Sequence, residues 1–233
     1  GLSGIELVQK MGKRNTPRDI QLDMKMMLTN KKGKNRSFSL HSVTKDNGSK
    51  QIIWFLSPAD NKGVSFLKIE HNKKDDEMQM WLPGFKKLKR ISANKRSDSF
   101  MGSDMSYEDM SNRKLSNFKF NNLGYKSFKN IPCYILESIP KEHIRSEYSR
   151  HITWVDTILF VAIKEESYDK KNQILKDKEF IYSEIDNYLI LVEAQVKNIQ
   201  KNHSTSLKFI NIELNNGISD RFFHQRYLKR LPK

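Results

Sequence analysis

The stretch Ile20–Val43, IQLDMKMMLTNKKGKNRSFSLHSV, decides the fold class. In its first half Ile20, Leu22, Met24, Met26 and Leu28 alternate with Gln21, Asp23, Lys25 and Met27. A period of two places the first set on one face of a half-buried strand. Lys31-Lys32-Gly33-Lys34 is a turn, and Phe38 and Leu40 resume the alternation on the way back. Two such runs joined by a short glycine-containing turn form an antiparallel hairpin.

The same pattern extends outward. Asp46-Asn47-Gly48 is a hairpin turn. Gln51–Leu56 is an apolar strand closed by Ser57–Gly63, Val64–Glu70 is the next strand, and Asn72–Asp76 turns again. Glu77–Leu82 and Lys86–Ile91 flank Pro83-Gly84 as a further hairpin. Ahead of the meander, Ile5, Val8 and Met11 recur at helical spacing and predict a short amphipathic helix broken at Thr16-Pro17. Ser92–Leu115 is polar and poor in β-branched residues. It predicts a long loop with a helix over Tyr107–Asn117, capped by Ser106, and a loop of that length in a compact domain is functional or a lid. Strands are predicted again at Cys133–Ile139, Thr153–Asp156, Ile158–Ile163, Gln173–Glu184, Tyr188–Ile199 and Leu207–Leu214. Phe222, Phe223, Tyr227 and Leu228 are available to dock the terminal segment Ser219–Leu228.

No composition break marks a linker, so residues 1–233 are expected to form a single domain. The fold class is mainly β with a few helices (α+β): one large curved antiparallel sheet. Its helices are too few to build a second layer. The sheet is therefore expected to form an unclosed half-barrel with a helical lid and a hollow, apolar concave interior, a shape that suits a greasy ligand.

Bulk chemistry narrows the function. The chain has 233 residues, 37% of them hydrophobic and 10% aromatic, enough for a packed core. The single cysteine, Cys133, cannot form an internal disulfide. The formal charge of +15 invites a nucleic-acid partner. The lysines are nevertheless scattered through turns and strand faces along the whole length, and an anionic membrane surface accounts for them as well. The expectation is therefore no nucleic acid. The six histidines have no paired ligand spacing, no serine sits in a nucleophile elbow, and no glycine-rich phosphate loop occurs. Neither an enzyme nor a cofactor or metal is expected.

The candidate site is a surface rather than a reactive group. Leu22, Met24, Met26, Leu28, Phe38, Leu40, Ile52, Trp54, Leu56, Met80 and Leu82 are the expected lining of the interior. Any one of them alone is ordinary core, but the set, with its flexible methionines, suits alkyl chains of variable shape. Burying a C14 to C16 chain supplies on the order of 10 kcal/mol at about 0.8 per methylene. Pro83, Phe100, Met101, Gly102, Ser103, Asp104, Tyr107, Glu108 and Asp109 form the expected lid or partner-docking motif. Their acids are read as loop-fixing hydrogen-bond acceptors, since no histidine or cysteine lies nearby, and Gly102 as a backbone turn. Lys86, Lys87, Lys89 and Arg90 fit either lipid phosphates or a solvated face.

Several pieces resemble the LolA-like outer-membrane lipoprotein-sorting family, and more narrowly its branch associated with RND-type exporters. They are Trp81-Leu82-Pro83, Lys86–Ile91, Ser99–Asp104 with Tyr107-Glu108-Asp109, Pro58–Gly63, Trp154-Val155-Asp156 and Phe223–Leu228. They run in order through most of the chain, and Met105 stands where an aromatic residue is expected. The resemblance implies a periplasmic protein whose signal peptide has been removed. Its partners would be lipid or lipoprotein acyl chains, an inner-membrane RND-type transporter and, transiently, the membrane surface. Two rivals remain at this point: a structural accessory subunit of an exporter with a filled interior, and a basic nucleic-acid-binding β protein.

Overall fold

The computed structural model describes residues 1–232. Thirteen strands make one sheet. They are β1 (Asp19–Thr29), β2 (Asn35–Lys45), β3 (Lys50–Ser57), β4 (Ser65–Ile69), β5 (Glu77–Leu82), β6 (Lys87–Arg90), β7 (Phe118–Phe128), β8 (Ile131–Pro140), β9 (Tyr148–Asp156), β10 (Ala162–Asp169), β11 (Ile174–Ile185), β12 (Tyr188–Asn198) and β13 (His203–Leu214). Their order in space is β6-β5-β4-β3-β2-β1-β13-β12-β11-β10-β9-β8-β7. Each strand pairs antiparallel with its sequence neighbours, except that β1 and β13 close the middle and β6 and β7 remain free edges. The sheet is thus an unclosed half-barrel, and the β6–β7 connection, residues 91–117, has to cross its opening.

Register sorts the two faces. Met26 lies opposite Phe38 on β2 and Leu207 on β13, and Leu207 lies opposite Ala194 on β12. These residues face inward, toward the crossing segment. On the outer face Val43, Ile52, Trp54 and Leu67 pack under Phe223 and Leu228 of the C-terminal segment. That segment ends in a single helical turn, α2 (Gln225–Leu228). The Trp54 indole N–H donates to the Tyr227 carbonyl at 3.2 Å and the Ser65 hydroxyl to the Leu228 carbonyl at 2.6 Å.

The N-terminal helix α1 (Gly4–Gly12) starts with a capping box between Ser3 and Glu6 and buries Leu7 against Leu136 and Val155. Its Gly4 lies on the β7 backbone, where a Cβ would stand 2.3 Å from the Phe120 carbonyl oxygen. Only glycine permits that approach. No helix among the described residues is long and apolar enough to cross a membrane.

Three expectations change. The strand β7 lies where the sequence predicts no element, because FKFNNLGYKSF carries two asparagines and a glycine and hides its alternation. The helix expected over Tyr107–Asn117 is only a 3-10 turn at Glu108–Met110. The strand expected at Ile158–Ile163 starts late, at Ala162. Residues 158 and 159 instead form a turn whose backbone N–H groups donate to the Asp156 carboxylate at 2.7 and 2.9 Å.

Candidate functional site

From β5 round to β13 the inner wall is mostly apolar, interrupted by the buried Lys68 on β4, whose Nζ donates to the Met110 carbonyl of the crossing segment at 2.6 Å. Met24, Met26, Leu28, Phe38, Leu40, Ile53, Phe55, Phe66, Met78 and Met80 share one buried cluster, with Leu22 and Leu82 at its margin. The interior is not hollow. The crossing segment folds a tight loop into it, closed by a bridge between Ser99 and Ser106 and by the Phe100 N–H donating to the Met105 carbonyl at 2.8 Å. Met101 and Gly102 turn the loop with φ of 51° and 77°. The loop delivers Phe100, 1% exposed, and Tyr107, 6% exposed, onto the wall. Phe100 stacks edge-on against Phe66 at 5.4 Å and meets Phe55 at 5.9 Å and Tyr107 at 6.0 Å. Met101, Met105 and Met110 pack beside them.

From the His203 end of β13 across to β9 the inner wall turns polar, and the segment changes chemistry to match. Asp104 accepts from the Thr205 hydroxyl at 2.8 Å and pairs with His203 Nδ1 at 2.7 Å. Asp109 lies 2.8 Å from Lys176 Nζ and 3.3 Å from Lys178 Nζ, and accepts from the Tyr148 hydroxyl at 2.7 Å. Arg113 grips Glu165 with two bonds of 2.7 Å, and Glu165 also accepts from Lys178 and from Thr153. Glu108 accepts from Ser146 and from the Glu147 backbone N–H. The segment therefore covers grease with rings and methionines, and is anchored along the charged strip by carboxylates and one guanidinium.

The strip perturbs its own groups. Burial would raise the Asp109 carboxyl, yet Lys178 and Lys176 outweigh it and hold Asp109 far below the ordinary carboxylate range. Glu165 is likewise held low: burial pushes up, and Arg113 and Lys178 pull down harder. Burial, with Arg113 next, pushes His151 well below its ordinary 6.5, so it stands neutral with Nδ1 2.7 Å from the Ser167 hydroxyl. A base whose folded pKa is depressed contributes stability that is whole above its unfolded pKa and lost as the pH falls. Melting temperature is therefore expected to begin falling below about pH 6.5, before the carboxylates titrate. His151→Gln should flatten that slope between about pH 6.5 and 5, as read by melting curves across the range. An unchanged slope would remove His151 as its source.

The structure brings Phe100–Asp109 together in one plug, but Pro83 lies apart, at the β5–β6 turn against Gly63. Ile52, Trp54 and Leu56, expected in the interior, belong to the opposite face. Their run IIWFL is apolar at every position, so alternation could not assign it, and Ile53 and Phe55 take the inner places. Sequence reading also missed Lys176, Lys178, Glu165 and Arg113. Two polar clefts flank the segment. One, of about 490 Å³, is lined in part by Lys31, Gly102, Lys176, Lys201 and His203; the other, of about 480 Å³, by Lys50, Glu70, His71 and Lys114.

Comparison with known proteins agrees with the architecture. A family model described as "uncharacterized protein" matches residues 47–230. The chain is similar to a solved outer membrane lipoprotein-sorting protein domain from Vibrio parahaemolyticus, at 29% identity over 97% of this chain and 98% of that one, with a TM-score of 0.91. It is similar also to a DUF1329 family protein from Desulfovibrio piger, at 28% identity over 97% of both chains and a TM-score of 0.90. A LolA superfamily protein from Nitrosomonas europaea shares the fold, at 16% identity, 97% and 100% coverage and a TM-score of 0.77. No curated protein matches the chain.

Proposed function

We propose, from the premise that this chain belongs to the LolA-like family of outer-membrane lipoprotein-sorting proteins, that it is a carrier of acyl chains seen here in its closed form. The observation that supports this is the broad apolar inner wall of β1–β5 and β13, on which side chains of the crossing segment pack. Phe100, Tyr107, Met101 and Met105 stand where an alkyl chain would lie. Each large side chain contributes about 1.5–3 kcal/mol by burial. Their sum is of the same order as the roughly 10 kcal/mol that a C14 to C16 chain supplies. Cargo and plug are thus close to balanced, which makes loading reversible and hand-over to a partner feasible. Leu22, Met24, Met26, Leu28, Phe38, Leu40, Met80 and Leu82 would line the acyl site, and the whole chain would act as one domain.

In this reading the protein works in the periplasm, without a chemical step. It takes lipid or lipoprotein acyl chains from an inner-membrane transporter of the RND type and passes them toward the outer membrane. One observation favours a second reading, the accessory subunit: the plug is held by the buried Asp109–Lys176 pair and by the half-buried Arg113 on the buried Glu165. Mass spectrometry of an organic extract of the purified protein, with titration of a fluorescent fatty acid, separates the two. The carrier yields bound lipid or saturable uptake. Neither lipid nor uptake leaves only the accessory reading.

A further inference from the structure

We infer that one rim of the half-barrel is a docking surface for an anionic membrane. In an antiparallel meander every second turn falls on the same rim. The turns at residues 30–34, 58–63, 83–86, 141–147, 170–173 and 199–202 share a rim, because Thr29 pairs with both Asn35 and Ser204, Ser39 with Ser57, Ser65 with Trp81, Tyr148 with Asp169, and Lys176 with Asn198. These turns expose Lys31, Lys32 and Lys34, then Lys62, Lys86, Arg145, and Lys170 with Lys171 and Lys201; Asp60 and Glu142 are their exposed carboxylates. The turns and chain segments of the opposite rim expose Arg18, Lys73, Lys74, Lys129 and Arg221 against Asp46, Asp75, Asp186 and Asp220. Exposed cations therefore outnumber exposed carboxylates nine to two on the first rim and five to four on the other, an asymmetry the scattered lysines of the sequence do not show.

Two apolar side chains stand among these lysines. Phe85, on the tip of the β5–β6 turn, is 82% exposed, and Ile199, at the β12–β13 turn, is 43% exposed. A polybasic surface with an aromatic tip matches acidic lipid head groups over an acyl layer: the lysines meet the phosphates and the ring enters the interface. The pairing favours a bilayer over a nucleic acid, whose backbone would use the charges but leave the apolar tips in water. The cleft between Lys31, Lys201 and Gly102 opens on this rim, so a docked protein would place the edge of its plug beside the membrane.

Vesicle flotation tests this with the full chain, using phosphatidylcholine vesicles with and without 30% (about one lipid in three) phosphatidylglycerol. Binding is expected only with phosphatidylglycerol, and to weaken steeply with salt. Each rim lysine neutralised should cost about five-fold, so K62Q/K86Q should bind about 25-fold more weakly. Phe85→Ser should cost about ten-fold. Lys73→Gln with Lys74→Gln, on the other rim, should change nothing. All of these side chains are exposed, so melting temperatures and fatty-acid uptake should stay constant, and failure here would leave the carrier reading standing. Equal loss from both rims, equal binding to neutral vesicles, or retention on duplex DNA with no vesicle binding would overturn the proposal.

Discussion

Glu165→Gln is expected to lower the melting temperature by about 10 °C. Glu165 is the hub of the charged strip: it holds Arg113 with two bonds of 2.7 Å and Lys178 with one of 3.2 Å, and accepts from Thr153. Glutamine keeps the shape and removes the charge, which leaves Arg113 and Lys178 with Asp109 as their nearest buried counterion. Breaking a buried pair by removing one partner costs roughly 3–5 kcal/mol, because the remaining charge is stranded away from water. For a chain of this size each kcal/mol is worth about 2–4 °C. Glu166 is the control. It neighbours Glu165 in sequence but points to the opposite face, where its partners are Lys164 and Tyr168. Glu166→Gln should shift melting by no more than about 2 °C. Similar shifts for the two variants would show that the strip is not the anchor of the plug.

That strip marks where the sequence stopped being readable. The β1 and β2 strands declare their inner face, because one parity is apolar and the other polar. The strand β11, ILKDKEFIYSEI, does not. By pattern, Lys176 and Lys178 belong in solvent; in the structure they point inward with Phe180, and Leu175 does not join the apolar cluster. Inward lysines are tolerable only when counterions arrive from elsewhere. Those counterions are Asp109, on the crossing segment, and Glu165, on the adjacent strand β10. No local window of sequence contains both halves of such a site. The same holds for IIWFL in β3, where two apolar faces are both buried, one by the plug and one by the C-terminal segment. The plug was visible as a motif, Ser99–Asp104 followed by Tyr107-Glu108-Asp109, but not as a filling. An aromatic ring in a polar loop says only that it needs a partner. The partner, a wall built from β3 and β4, depends on the curvature of the whole sheet.

Phe100→Ala should separate a plug that yields from one that does not. Phe100 is among the largest fully buried side chains, and its removal should leave a void between Phe55, Phe66 and Tyr107. Truncating a buried phenylalanine costs about 3–5 kcal/mol, so melting should again fall by about 10 °C. Both readings of the protein share that expectation. They part when a fluorescent fatty acid is added. In a carrier the native ring competes with cargo, so the apparent affinity of the wild type is reduced by the small fraction of molecules whose plug is out. Removing the ring removes that handicap, and the variant should bind fatty acid at least about ten-fold more tightly than the wild type. Saturating ligand should also return much of the lost stability, about 2.7 kcal/mol at a hundred-fold excess over Kd. Competition therefore predicts an unusual pair of signs, a less stable protein that is a better binder. In an accessory subunit the ring is simply core. Its loss would destabilise the fold, fatty acid would neither bind nor rescue, and the family likeness would extend to shape without cargo.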